Sequence, residues 1–256
     1  MRKITIAVCL IVSMALFTLS ARQTHRHTTH PSHTPEAPPR QLTTACDENI
    51  DTIEQCPKRG CGTAGDALLN EVKNAVPTAT SGEKKTINDF INLPQPKRWN
   101  TGAARTFKDS DKEGTIVEVR GYVLLMRAQK DESSNCGLIG KDKTYTDVHV
   151  ALVGDAEEED ENNSITAEIT PRLRHSGHPN WTYEKLKVLE GDYVKVVGQL
   201  MLDTGHISPI TKLADEHPRK KLKRATNWEV HPITALWKCT KSRHACDNGS
   251  GWKTVP

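Results

Sequence analysis

The sequence predicts an all-β protein built on a small closed barrel, preceded by a cysteine-bearing N-terminal extension. Three observations predict it. Between Gly114 and Cys239, five segments are rich in β-formers and partly alternate apolar with polar residues. A helical pattern, WTYEKLKVLEG, falls between the third segment and the fourth. Gly121 and Gly198 interrupt long strand patterns, as the sharp bends of a small barrel require.

The elements follow in order. In GTIVEVRGYVLLMRAQ, Val117, Val119, Val123 and Leu125 share one face, and Glu118, Arg120 and Tyr122 share the other. In YTDVHVALVG, Val148, Val150 and Leu152 oppose Asp147 and His149. In SITAEITPRLR, Ile165, Ala167 and Ile169 oppose Thr166, Glu168 and Thr170. In GDYVKVVGQLMLD, Val194, Val196, Leu200 and Leu202 face the core, and ATNWEVHPITALWKC is the last strand. Three strands, a helix and two strands is the order of an OB-fold, a five-stranded Greek-key barrel that usually binds oligonucleotides or oligosaccharides. The expectation is an OB-like barrel over residues 113–240 with one helix between strands three and four. Fold alone sets no function.

The flanks are of different kinds. Arg2 and Lys3 precede an uncharged, mostly apolar run from Ile4 to Leu19, with small residues at Ser20 and Ala21. That reads as a signal peptide over residues 1–21, since the run is short for a span of about 20 residues. An uncleaved anchor is the alternative. Cys9 lies in that run without a lipobox, which argues against a lipoprotein. Residues 22–44, rich in His, Pro and Thr, read as a disordered linker that cannot bury enough surface to offset chain entropy. Its His25, His27, His30 and His33 can bind a soft metal loosely, or can simply be solvated. Residues 45–112 read as a disulfide-stapled extension, with a short helix near Asp66 to Asn74. Ile87, Phe90 and Ile91 are spaced to pack one helical face on the barrel. Residues 241–256 form a tail.

Beyond Cys9, the cysteines are Cys46, Cys56, Cys61, Cys136, Cys239 and Cys246. An even set in an exported chain predicts disulfides, though the pairing is open, and Cys239 with Cys246 can close a local loop. A zinc site at CPKRGC or CTKSRHAC lacks a matching second pair at ribbon spacing. The chain has 35 basic and 32 acidic residues; loss of Arg2 and Lys3 leaves 33 basic ones and a net charge of +1. That balance excludes an indiscriminate polyanion binder, so nucleic-acid affinity requires a local patch.

One such patch is HPRKKLKR, 217–224, between strands four and five, where OB-folds frame their ligand face. Arg219, Lys220, Lys221, Lys223 and Arg224, with Tyr122, are the ligand-binding candidates, and the alternative is a solvated run. The acidic DAEEEDENN, 155–163, lacks the glycine and alternation of a calcium loop and reads as a hairpin tip. Aromatics are sparse at 5%. Of Tyr122, Tyr145, Trp181, Tyr183, Tyr193 and Trp228, the outward mid-strand positions Tyr122 and Tyr193 best suit base stacking, and Trp181 suits packing of the helix.

Polar residues gather at strand ends: Asp147 and His149, Glu168 and Arg172, Asp203 and His206, Glu229 and His231. Imidazoles with a carboxylate suit Zn²⁺ or Mn²⁺, so His149, His206, His231 and Glu229 are metal candidates. Glu168, Arg172, His149 and His231 are catalytic candidates for metal-assisted phosphodiester cleavage, with the arginine placed to stabilise developing charge. The alternative is that these groups hydrogen-bond loops and cap the barrel.

CPKRGCG, LLNEVKN, LPQPKRWN, VRGYVLLMRAQ, SSNCGL, TDVHVALV, AEITPRLR, VKVVGQLMLDTGH and RATNWEVHPITALWKC carry a resemblance. The chain resembles a group of uncharacterised exported bacterial proteins with a single OB-like domain. The resemblance covers nearly all of Cys56 to Cys239 and implies that fold and export, with no activity attached. Its recurring polar motifs coincide with the pairs above, joined by Asn135 and Cys136. The acidic 155–163 stretch, the basic 217–224 loop and the cysteine-bearing tail depart from the pattern.

The leading expectation is an exported, periplasmic or secreted, non-catalytic binding module for a polyanionic or polymeric ligand, nucleic acid or envelope polysaccharide. A metal-dependent hydrolase such as a secreted nuclease is the second, and a protein-interaction module of the cell envelope the third. No transmembrane helix is expected in the mature chain, and the sequence names no cofactor.

Overall fold

In the computed structural model the described residues are 43–62, 65–94, 112–130, 132–206 and 223–256. The chain divides into two compact units, 1–36 and 37–256, and all described residues belong to the second. The expected signal peptide and nearly all of the linker, to residue 42, lie outside them, as do Arg219, Lys220 and Lys221.

The chain enters through α1 (Ala67–Lys73), whose N-cap Asp66 accepts from the amides of Leu68 and Leu69. A short β1 (Glu83–Lys85) leads to α2 (Ile87–Ile91), which Thr86 and Asp89 close with a reciprocal capping box. Ile87 and Phe90 are buried in the barrel core, but Ile91 stays 36% exposed. Of the three apolar positions expected to share one packed face, Ile91, the last residue of α2, does not.

The barrel strands are β2 (Ile116–Ala128), β3 (Val148–Val153), β4 (Ile165–Ile169), β5 (Tyr193–Leu202) and β6 (Trp228–Cys239). They run β2-β3-β4-β6-β5 and close by pairing β5 with β2. The β4–β6 pair is parallel and the other barrel pairs are antiparallel. The result is a closed, mixed, five-stranded barrel with a few helices, consistent with an OB-like barrel. Val119, Val150, Ala167, Val196 and Val230 are among the residues that fill it. The alternation expected of β2 fails at one point. A register shift between Val123 and Leu125 places Met126 inside, at 3% exposure, and leaves Leu125 half-buried. At Gly198 the backbone of β6 comes so close that a Cβ would lie 2.3 Å from the Pro232 carbonyl oxygen.

Strand β4 is shorter than the expected SITAEITPRLR segment. Thr170 accepts from the Leu173 amide and Pro171 takes the first helical position, so the chain leaves the sheet and forms α3 (Pro171–Gly177). The helical pattern after Trp181 yields a single turn, α4 (Tyr183–Leu186), followed by a 3₁₀ turn. Two short helices, not one, therefore link β4 to β5. Past β6 come α5 (Arg243–Asp247) and β7 (Trp252–Thr254), which pairs with β6. Among the described residues no helix is long and apolar enough to cross a membrane.

The cysteines pair as Cys46–Cys61, Cys56–Cys136 and Cys239–Cys246. Cys56–Cys136 fastens the segment before α1 to the β2–β3 connection. Around it Ile53, Leu138 and Tyr145 make a small second core. Helix α1 is seated separately: Leu69 and Val72 pack on Met201, on the outer side of β5.

Candidate functional site

Strand parity and register build the first candidate site. His149 on β3 is directly paired with Glu168 on β4, and Glu229 on β6 is paired with Thr166. All four strand positions face away from the apolar interior, so three adjacent strands present His149, Glu168, Glu229 and His231 on one outer face. His149 Nε2 lies 2.6 Å from Glu168 Oε1, and His231 Nδ1 lies 2.9 Å from Glu168 Oε2. His231 Nδ1 is also 3.5 Å from Glu229 Oε2.

Arg224 extends the row. Its guanidinium donates to Glu229 and, at 2.9 Å, to Asp203 Oδ2, which His206 Nδ1 approaches to 2.8 Å. Basic and acidic groups thus alternate from His206 through Asp203, Arg224, Glu229, His231 and Glu168 to His149. Glu168, Glu229 and His231 are 1% exposed. The roof is α1 and the 3₁₀ turn Ser133–Asn135. Lys73 Nζ donates to Glu132 Oε2 at 2.9 Å, and Asn74 Nδ2 to the Ser134 carbonyl at 2.8 Å.

Burial and charge oppose each other throughout this face. Burial alone pushes the Glu168 carboxyl up, but His149, His231 and Lys73 hold it well below the usual range. Burial disfavours a proton on His231, yet Glu168 outweighs it and raises the imidazole to about 10. Burial likewise opposes ionisation of Asp203, and His206 and Arg224 bring it well below its ordinary value. Asp147 is the exception: burial, with Glu132 and Glu168 nearby, pushes it up to about 7, and Asn135 Nδ2 donates to it at 2.7 Å.

The sequence-derived site residues divide accordingly. His149, Glu168, Glu229 and His231 come together, with His206 one step away. Arg172 does not join Glu168; it reaches across to Asn74 Oδ1 at 3.2 Å and the Cys56 carbonyl at 2.7 Å. Arg224, expected on a ligand-gripping loop, is fully buried between two carboxylates. Lys223 is exposed. Lys73 and Glu132 were not anticipated. The available signal was the i, i+4 spacing of Lys73 from Leu69, which puts the ammonium on the packed side of α1.

A second candidate surface lies on the outer side of β2, β5, β6 and β7. Tyr122 and Tyr193 rings are 4.9 Å apart, and Tyr193 and Trp252 rings 5.8 Å. Lys195 Nζ sits 4.0 Å from the Trp237 ring centre and 5.5 Å from that of Trp252. The Arg120 guanidinium lies 5.6 Å from Trp252, and that of Arg243 5.3 Å from Tyr193. Arg120 also pairs with Glu118 at 2.8 Å, and Tyr193 donates to Asp247 at 2.8 Å. Tyr122, Lys195, Trp237 and Trp252 are half-buried and Arg243 is exposed. Burial lowers the Lys195 ammonium pKa, and Arg120 and Lys84 add to that against Glu118. Sequence reasoning found Tyr122 and Tyr193 and missed Trp237 and Trp252. Trp228 and Trp181 are buried, their indole N–H groups donating to the carbonyls of Pro94 and Val255.

No family model matches the chain, and no curated protein does. Among solved structures, the chain is similar to Entamoeba histolytica asparaginyl-tRNA synthetase, at 17% identity with a TM-score of 0.26. The same synthetase in complex with asparaginyl-adenylate gives 17% and 0.27. Each match covers 55% of this chain and 24% of the synthetase. So low a structural score carries no argument.

Proposed function

We propose that the chain is an exported, OB-like Greek-key barrel that binds a polymeric polyanion, taken here as single-stranded nucleic acid, on the β2–β5–β6–β7 surface. The observation that carries this reading is the interleaving of Lys195, Arg120 and Arg243 with the rings of Tyr122, Trp237 and Trp252. Stacking on aromatics and cationic contacts to phosphates are the two terms that hold single strands without sequence preference. The usual OB ligand face lies on the second and third strands. Here its outward residues Thr166 and Glu168 are buried, so a polymer meets the opposite side instead. Of the basic 217–224 loop, Arg224 is committed inside the protein and Lys223 is exposed, while 217–222 lie outside the described residues, so this reading does not rest on that loop.

Fluorescence anisotropy with a labelled single-stranded oligonucleotide tests it. Trp237→Ala is expected to weaken binding by about 1–3 kcal/mol if one base stacks there. Lys195→Ala is expected to reduce the salt slope by about 0.7 for one lost phosphate contact. Wild-type affinity in both variants sinks the reading, and binding of an anionic polysaccharide alone replaces its ligand.

The convergence of His149, Glu168, Glu229 and His231 favours a second reading, metal-dependent hydrolysis of such a polymer. Shortened oligonucleotide that disappears with EDTA is its signature. Burial of the carboxylates and His231 places it second.

A further inference from the structure

We propose that Glu168, Glu229 and His231 form a site for one divalent transition-metal ion, with zinc the ion their donors fit. The inference is independent of polymer binding and of any hydrolysis.

Three atoms converge. Donor atoms of these residues lie within 4.8 Å of one another, and His231 Nδ1 is 2.9 and 3.5 Å from Glu168 Oε2 and Glu229 Oε2. Zinc bonded tetrahedrally at about 2.0–2.1 Å holds its ligand atoms about 3.3 Å apart. The two separations from His231 Nδ1 bracket that value.

The same three atoms are buried and make no hydrogen bond among the described residues; the approach of His231 Nδ1 to Glu168 Oε2 is close but not aligned for one. Buried polar atoms almost always have partners, so orphans that face one point mark an unfilled coordination set. The opposite oxygens are held. Glu229 Oε1 accepts from Arg224, and Glu168 Oε1 lies at ion-pair distance, 2.6 Å, from His149 Nε2, without an aligned hydrogen bond. Each carboxylate is thereby turned to offer a single oxygen, the arrangement by which outer partners orient metal ligands. One imidazole and two carboxylates leave a fourth position open, and zinc takes such nitrogen and oxygen donors readily.

The competing account is a metal-free ion network, with a protonated His231 between two carboxylates. Metal analysis of the chain from residue 22 onward separates the two, with His25, His27, His30 and His33 replaced by Ser to remove the leader as a zinc ligand. After EDTA treatment, zinc loading and gel filtration, the proposal expects one zinc per chain and a raised Tm. It also expects a four-coordinate visible spectrum with Co²⁺. Glu229→Gln and Glu168→Gln, folded by circular dichroism, are expected to lose at least about tenfold in zinc affinity, on the scale of losses seen when even outer partners are removed. A folded wild-type site that retains no zinc and shows no Tm shift overturns the proposal. So does undiminished zinc binding in both glutamine variants. If the variants do not fold, the wild-type stoichiometry and cobalt spectrum decide alone.

Discussion

Arg224 bridges Asp203 and Glu229, joining the β5–β6 connection to β6 itself without any exposure to solvent. This pair of contacts places Arg224, the last residue of what reads in sequence as a surface-basic run, in the protein's interior. Breaking a buried pair leaves an uncompensated charge, here two carboxylates. Arg224→Met is therefore expected to lower the unfolding free energy by about 3–5 kcal/mol. Lys223→Ala, next door and exposed, is expected to change it by no more than about 0.5 kcal/mol. Urea denaturation of both variants checks the contrast.

The disulfides are expected to rank by the loops they close. Cys56–Cys136 spans 80 residues, Cys46–Cys61 spans 15 and Cys239–Cys246 spans 7. Chain-entropy reasoning assigns them about 4.5, 3 and 2.4 kcal/mol. Paired Cys→Ser variants, compared by denaturant midpoint, are expected to lose stability in that order. Loss of Cys56–Cys136 should also expose the acid–histidine face, read as faster hydrogen exchange at Glu168 and His231.

Asp147 gives the pH dependence a definite sign. Its carboxyl is raised from 3.8 to about 7 in the fold, so between those values the folded chain holds a proton that the unfolded chain has released. Stability from this group is full below about pH 4 and is lost as pH rises through about 7. Asp147→Asn keeps the contact with Asn135 and has no proton to lose. The Tm difference between variant and wild type is expected to move in the variant's favour from pH 4 to pH 7.5. A constant difference across that range contradicts the assignment.

Much of the barrel was legible in the sequence because alternation and β-formers report directly on strands buried on one side. Val148, Val150 and Leu152 face inward as their spacing requires. What was not legible depended on contacts far apart in the chain. The shift that puts Met126 inside arises from pairing with β3, and no local pattern encodes it. Thr170-Pro171 did carry a helix-start signal that the strand pattern around it outweighed. In the candidate site, the pairing of β4 with β3 and with β6 gathers His149, Glu168 and His231, which the sequence grouped as candidates without the register that brings them together. Trp237 meets Lys195 as its cross-strand partner in the β5–β6 pair, and Trp252 joins them where β7 pairs with β6.

Binding of a labelled single-stranded oligonucleotide by the chain from residue 22 onward, with Lys195→Ala/Trp237→Ala and Glu168→Gln compared at two salt concentrations, tests the central claim most directly. The account predicts salt-sensitive binding that the Lys195→Ala/Trp237→Ala variant loses and Glu168→Gln keeps. Loss of binding in Glu168→Gln with full binding in the other variant would contradict it and move the ligand to the acid–histidine face.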